Sequence, residues 1–197
     1  PPPPPPPLPP PPPPEALPSA TVVRPAIMFG DEDKFLTRMA LFARHLPFIP
    51  LVEGGAALQQ PVYVDNVAEA IIRTIEDSSA LGKTYSLAGP KVYSTKEITD
   101  FVFKCIGDEG NSISVPRSIG MALHLAMEQI PAPWMTRDEL LHQLSDVTLP
   151  EGAPGLESLG ITPAPMEELA NAYLFMFKKK SPFVDEDEGI YVKQSHS

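Results

Sequence analysis

Apolar residues recur along this chain at two spacings, and the switches between a period of two and a period of three to four predict an α/β alternation. Short β-branched or apolar runs at residues 21–23, 61–64, 83–87 and 112–115 read as strands, the first ending at Arg24-Pro25. Residues 33–45 read as a helix that stops before Pro47. A second helix follows residues 61–64 at once. Asp65 is placed to cap it, and Val67, Ala70, Ile71, Thr74 and Ile75 fall on one stripe predicted to be buried. After a turn at Gly89-Pro90, Ser94-Thr95-Lys96-Glu97 has the spacing of a capping box and opens a third helix that ends near Gly107.

Beyond residues 112–115 the pattern is helical and less regular, with Pro116 suited to the first turn of a helix. Residues 119–130 are apolar on nearly all sides, which suits a helix buried in its own subdomain, covered by a partner, or resting on lipid headgroups. No window supplies the roughly twenty apolar residues that span a bilayer, so any lipid contact would be peripheral. Thr136-Arg137-Asp138-Glu139 is a second capping box that turns Leu140, Leu141 and Leu144 inward. Residues 150–160 read as a loop, and residues 165–177 as a last helix burying Met166, Leu169, Ala170, Tyr173 and Phe177. The implied division is a proline-rich tail at 1–18, an α/β unit at 19–115, a helical subdomain at 116–180 and an acidic tail at 181–197.

Composition narrows the function classes. The formal net charge of −10 and a pI near 4.8 supply no basic footprint for nucleic acid. The run at Lys178, Lys179 and Lys180 closes an apolar helix, where cations favour the C-terminal dipole, and acidic residues follow it. Thirteen of the first fourteen residues are proline, a tract restricted to polyproline II. It reads as low-complexity spacer, with a ligand for proline-recognition modules as the alternative. It has neither the apolar core nor the arginines of a targeting peptide.

The single cysteine, Cys105, shares helical spacing with Ile98, Phe101 and Val102 and reads as a core residue in a reducing compartment. His45, His124, His142 and His196 have no metal-ligand spacing. Asp31-Glu32-Asp33 precedes a helix and serves its positive end more readily than it would hold a cation. No catalytic or metal-ligating residue is therefore predicted in this chain.

Three phrases in fixed order carry a resemblance: TVVRPAIMFG, QPVYVDNVAEAI and YSLAGP followed by STKEI. Together they resemble the extended and atypical short-chain dehydrogenase/reductases. The resemblance implies the C-terminal part of a Rossmann-like, doubly wound parallel sheet, with a mainly helical C-terminal subdomain. It also implies that Pro25, Ala26 and Ile27 line the nicotinamide end of a cofactor pocket, where strand carboxyl ends face the ligand crevice. Asn66 departs from a second acid common at its position, and Asp65 is given a structural role.

The family's phosphate cradle, Gly-x-x-Gly-x-x-Gly or Gly-x-Gly-x-x-Gly, occurs nowhere in the sequence. Nor does its Tyr-x-x-x-Lys pair, because Tyr63, Tyr85, Tyr93, Tyr173 and Tyr191 have Val67, Gly89, Glu97, Phe177 and Ser195 four residues on. Both would belong to a missing N-terminal half.

Residues 133–169, with GDEDKFL, sharpen the resemblance to the NADPH-binding accessory subunits of mitochondrial respiratory complex I. That resemblance implies a non-catalytic structural or assembly role on the matrix side of the inner membrane. NADPH would be held jointly with the missing half, other complex I subunits would be the partners, and lipid contact would be peripheral. The alternatives are a fragment of a soluble NAD(P)-dependent sugar-nucleotide epimerase or reductase, and a protein whose purpose is the proline tract.

Overall fold

The computed structural model describes residues 19–46, 48–108, 110–120, 144–150 and 152–178. In chain order they form β1 (Val22–Pro25), β2 (Met28–Phe29), α1 (Leu36–His45), β3 (Phe48–Val52), β4 (Leu58–Gln59) and β5 (Val62–Tyr63). Next come α2 (Val64–Glu76), β6 (Thr84–Leu87), β7 (Tyr93–Ser94), α3 (Thr95–Ile106), β8 (Asn111–Val115) and α4 (Met166–Leu174). Three strand pairs are parallel, β1 with β6, β2 with β5 and β3 with β8, while β4 with β7 is antiparallel. Parallel pairs need crossovers, and helix α2 leads from β5 into β6, the partner of β1.

Two apolar clusters hold these elements. The larger joins Leu36 and Ala40 of α1, Ile98, Val102 and Ile106 of α3, and Met166, Ala170 and Leu174 of α4 around Phe29 and Leu51. The smaller sets Val67 and Ala70 of α2 on Val62, Tyr85 and Leu87, closed by Leu156 and Ile161. Each fully buried leucine or isoleucine here contributes about 2 kcal/mol of transfer free energy.

Helix α3 forms as its capping box predicts: Ser94 Oγ accepts from the Glu97 amide at 3.1 Å, and the Ser94 amide donates to Glu97 Oε2 at 2.7 Å. Gly107 ends it in the left-handed conformation. Helix α4 buries Met166, Ala170 and Tyr173, with Leu169 and Phe177 packed partly against the same cluster.

Several expectations are corrected. Asp65 does not cap α2; the helix starts at Val64, so Asp65 lies within its first turn, where its charge still suits the positive dipole end. The predicted stripe on α2 is only half buried: Val67, Ala70 and Thr74 pack inward, whereas Ile71 and Ile75 are exposed. Helix α1 begins at Leu36 rather than residue 33, because Asp33 stays outside it and accepts from the amides of Phe35 at 2.8 Å and Thr37 at 3.0 Å. That geometry agrees with an acid serving the helix start.

Strand β3, which contains Pro50 and pairs in parallel with β8, was not predicted. The short strands β2, β4 and β7 were also not predicted, at two residues each. The loop at 150–160 contains a 3-10 turn, Leu156–Leu159, that buries Leu156. The second capping box, most of the apolar run 119–130, the proline tract and the acidic tail lie outside the described residues.

Candidate functional site

The carboxyl ends of β1 and β6 meet the start of β5 along one rim. Pro25 is the exposed last residue of β1. The Ala26 amide donates to the Leu87 carbonyl at 2.7 Å, and the Ile27 carbonyl accepts from the Val62 amide at 2.9 Å. The three residues expected to face a nicotinamide therefore stand together, laced to the end of β6 and the start of β5. The ends come close enough to exclude a side chain at Gly89, where a Cβ would lie 2.0 Å from the Pro61 carbonyl oxygen.

Gln60 locks the rim from behind. Its Nε2 donates to the Gly89 carbonyl at 2.8 Å while its Oε1 accepts from the Leu149 amide at 2.8 Å. Both halves of the amide are thus used, and residues 147–149 are tied to the rim. Sequence reading gave Gln60 no role. The available signal was a polar residue placed just before the buried Pro61 and Val62. Asn66, noted as a departure, has a structural use: its Oδ1 accepts from the Ala164 amide at 2.9 Å and fastens the approach to α4.

The electrostatics of the rim are anionic at one corner. The Tyr63 phenol is raised above its ordinary value, first by hydrogen bonding to Asp65, then by burial and by the charges of Asp65 and Asp31. It therefore remains protonated at neutral pH and is no ready general base. The same carboxylates disfavour a phosphate at this corner.

Cys105 is buried, its Sγ donates to Asn171 Oδ1 at 2.8 Å, and burial pushes its pKa up to about 11. It is a core thiol, not a nucleophile. His45 places Nδ1 2.8 Å from the Leu41 carbonyl on α1. Among the described residues no cluster of three metal-ligating side chains converges. A shallow depression of about 420 Å³, lined by Arg73, Glu76, Asp77, Ser158 and Leu159, lies by the C-terminal end of α2, away from the rim.

No protein-family model matches the chain. Alpha subcomplex subunit 9 of NADH dehydrogenase [ubiquinone] 1, mitochondrial, from Arabidopsis thaliana is 30% identical over 177 residues, covering 85% of this chain and 44% of that protein. The protein of the same name from Mus musculus is 34% identical over 154 residues, covering 76% of this chain and 40% of that protein. The chain is a homologue of the alpha subcomplex subunit 9 proteins. It spans less than half the length of these curated relatives.

The fold has solved counterparts as well. A dTDP-glucose 4,6-dehydratase from Streptomyces venezuelae, determined with NAD and TYD bound, superposes with a TM-score of 0.54 at 15% identity over 77% of this chain and 41% of that one. The architecture is accordingly α/β and Rossmann-like, as the sequence predicts. At that identity the likeness carries the fold and nothing about the reaction. Among the described residues no helix is long and apolar enough to cross a membrane.

Proposed function

We propose that this chain is part of a non-catalytic accessory subunit of mitochondrial NADH:ubiquinone oxidoreductase, acting in structure or assembly on the matrix arm near the membrane. The observation that carries this reading is the similarity, over most of the chain, to mitochondrial proteins named as subunits of that enzyme. The lack of a Tyr-x-x-x-Lys pair in the sequence supports a non-catalytic role for these residues. The protonated Tyr63, set beside two carboxylates rather than a lysine, supports it too.

The same reading assigns Pro25, Ala26 and Ile27 to one wall of an NADPH site. Their fit is with the nicotinamide end alone. Pro25 leaves a carbonyl without a competing amide on an exposed strand end, and Ala26 and Ile27 offer small apolar surface. Nothing in the sequence supplies the glycine-rich turn that would take the pyrophosphate at a helix N-terminus. NADPH would supply a hydride-carrying dinucleotide, but in this role it orders a fold. The phosphate cradle would come from the remaining α/β portion of the subunit, with other subunits of the enzyme as further partners. The apolar run at residues 119–130 is read as the part that meets those partners or the lipid headgroups.

A tagged copy expressed in its native cells tests the reading. On a native gel the tag should migrate with the band that stains for NADH dehydrogenase activity in the mitochondrial fraction. Migration as a free species, or recovery outside mitochondria, would overturn it.

A further inference from the structure

Residues 34–52 hold Lys34, Arg38, Arg44 and His45 and no aspartate or glutamate, in a chain whose formal net charge is −10. Helix α1 turns Leu36, Ala40 and Ala43 into the larger apolar cluster. At about 100° per residue, Arg38, Leu41 and His45 fall on the opposite face, with Arg44 at its border. Leu41 is 39% exposed, and Leu46 and Phe48, just past the helix, are exposed as well. Among the described residues Lys34 and Arg44 enter no ion pair. One flank of an acidic protein is thus basic and apolar at once.

The described residues end beside the same helix. The 3-10 turn Phe175–Phe177 packs on α1, and Phe177 leans on the cluster that α1 enters. In the sequence after Lys178, Phe183-Val184 precede Asp185-Glu186-Asp187-Glu188, and Ile190-Tyr191 follow. From Lys178 to Asp185 the chain can reach about 24 Å, whereas the whole of α1 is about 15 Å long.

We propose that residues 183–191 lie across the outer face of α1. The four carboxylates meet Lys34, Arg38, Arg44 and His45, and the apolar pairs on either side of them cover Leu41, Leu46 and Phe48. A single exposed ion pair stabilises little. Several charges with apolar surface between them act together, and a short tether holds the segment at an effective concentration of about a millimolar. The acidic segment thereby masks a face that an anionic partner reaches only by displacing it.

Charge selects this occupant. Of the other stretches outside the described residues, 1–18 hold Glu15 alone, and 121–143 hold Glu128, Asp138 and Glu139 with Arg137 among them. Neither has four carboxylates in a row. An anionic bilayer would have to accept Asp31, Glu32 and Asp33, which directly precede the helix, together with the acidic segment itself. A second copy brings the same net charge of −10 and is repelled.

The test uses the full chain with Leu41→Cys, a substitution at an exposed position. Cys105 is buried, so the unsubstituted chain serves as the blank. Labelling by a water-soluble maleimide should be about tenfold slower in the full chain than in the same chain ending at Lys180. That protection requires an affinity about tenfold tighter than the effective concentration of the tethered segment. A second variant of full length, Asp185→Asn, Glu186→Gln, Asp187→Asn and Glu188→Gln, removes charge alone and should label as fast as the shortened chain. Carbodiimide treatment of mixed light- and heavy-isotope copies should join Lys34 to one of residues 185–188 within a single copy.

Equal labelling of the full and shortened chains overturns the proposal, as does protection that survives in the neutral variant. So does joining of Lys34 to the acidic segment of another copy, to residues 121–143, or to no carboxylate. Protection that appears only when phosphatidylglycerol vesicles are added assigns the face to lipid and overturns it too. Each readout is taken on the isolated chain, so its result is separate from comigration with NADH dehydrogenase activity.

Discussion

The Tyr173 hydroxyl donates to Asp33 Oδ2 at 2.6 Å, joining helix α4 to the turn that starts α1 across 140 residues of sequence. Asp33 also accepts from the amides of Gly30, Phe35 and Thr37, so one carboxylate serves a turn, a helix start and a distant phenol. Burial, then the hydrogen bond and charge of Asp33, hold the Tyr173 phenol well above its usual range, and it stays a donor.

Asp33→Ala should therefore cost more than Tyr173→Phe. The tyrosine change removes one hydrogen bond to a charged group, about 1.5–3 kcal/mol. The aspartate change adds loss of the amide acceptors and leaves a buried hydroxyl without its partner. Urea unfolding of both single variants and of the pair should show non-additivity, because the two sites share one interaction. Equal, additive losses would contradict the shared network.

Two glycines should separate steric closure from backbone strain. Gly89→Ala drives a Cβ to 2.0 Å from the Pro61 carbonyl oxygen and should destabilise by about 3 kcal/mol or more. Gly107→Ala meets nothing within 4 Å but sits at φ +68, so only the left-handed conformation is penalised, at about 1 kcal/mol. Thermal melting of both variants checks the order.

Ser94→Ala should weaken α3 by about 1 kcal/mol through loss of the cap. The Glu97 carboxyl is held below its usual range, first by the Ser94 amide and then by the Ser94 hydroxyl. A depressed carboxylate pKa makes a contribution that is present above the unfolded value and is lost as pH falls through the folded one. The Ser94→Ala penalty measured by urea unfolding should accordingly shrink in acid.

Cys105 gives the opposite sign. Burial raises its pKa from 9.0 to about 11, so the folded state holds the proton more tightly than the unfolded chain does. Its contribution is full below pH 9 and is lost as pH rises towards 11. The folded chain should resist iodoacetamide at pH 8, and alkylation should track unfolding; rapid labelling of folded protein would contradict a core thiol.

The legible parts of the fold were those fixed by local chemistry. Ser94 and Glu97 announced a capping box because both partners lie within one turn, and Gly107 marked the end of the same helix. Ile71 and Ile75 were misplaced because periodicity registers an apolar face and not which neighbour covers it. Strand β3 went unread because its pairing partner, β8, lies far along the chain. Pro25, Ala26 and Ile27 were assigned to a nicotinamide wall only through a phrase that resembles a family, because no local chemistry marks such a wall. Gln60 was missed because its partners, Gly89 and Leu149, lie 29 and 89 residues away.

The reading that these residues carry the nicotinamide wall without a phosphate cradle is tested most directly by titrating the isolated chain with NADPH in a calorimeter. No saturable binding tighter than millimolar, about −4.1 kcal/mol, is predicted. Stoichiometric binding at micromolar NADPH, about −8.2 kcal/mol, would contradict it.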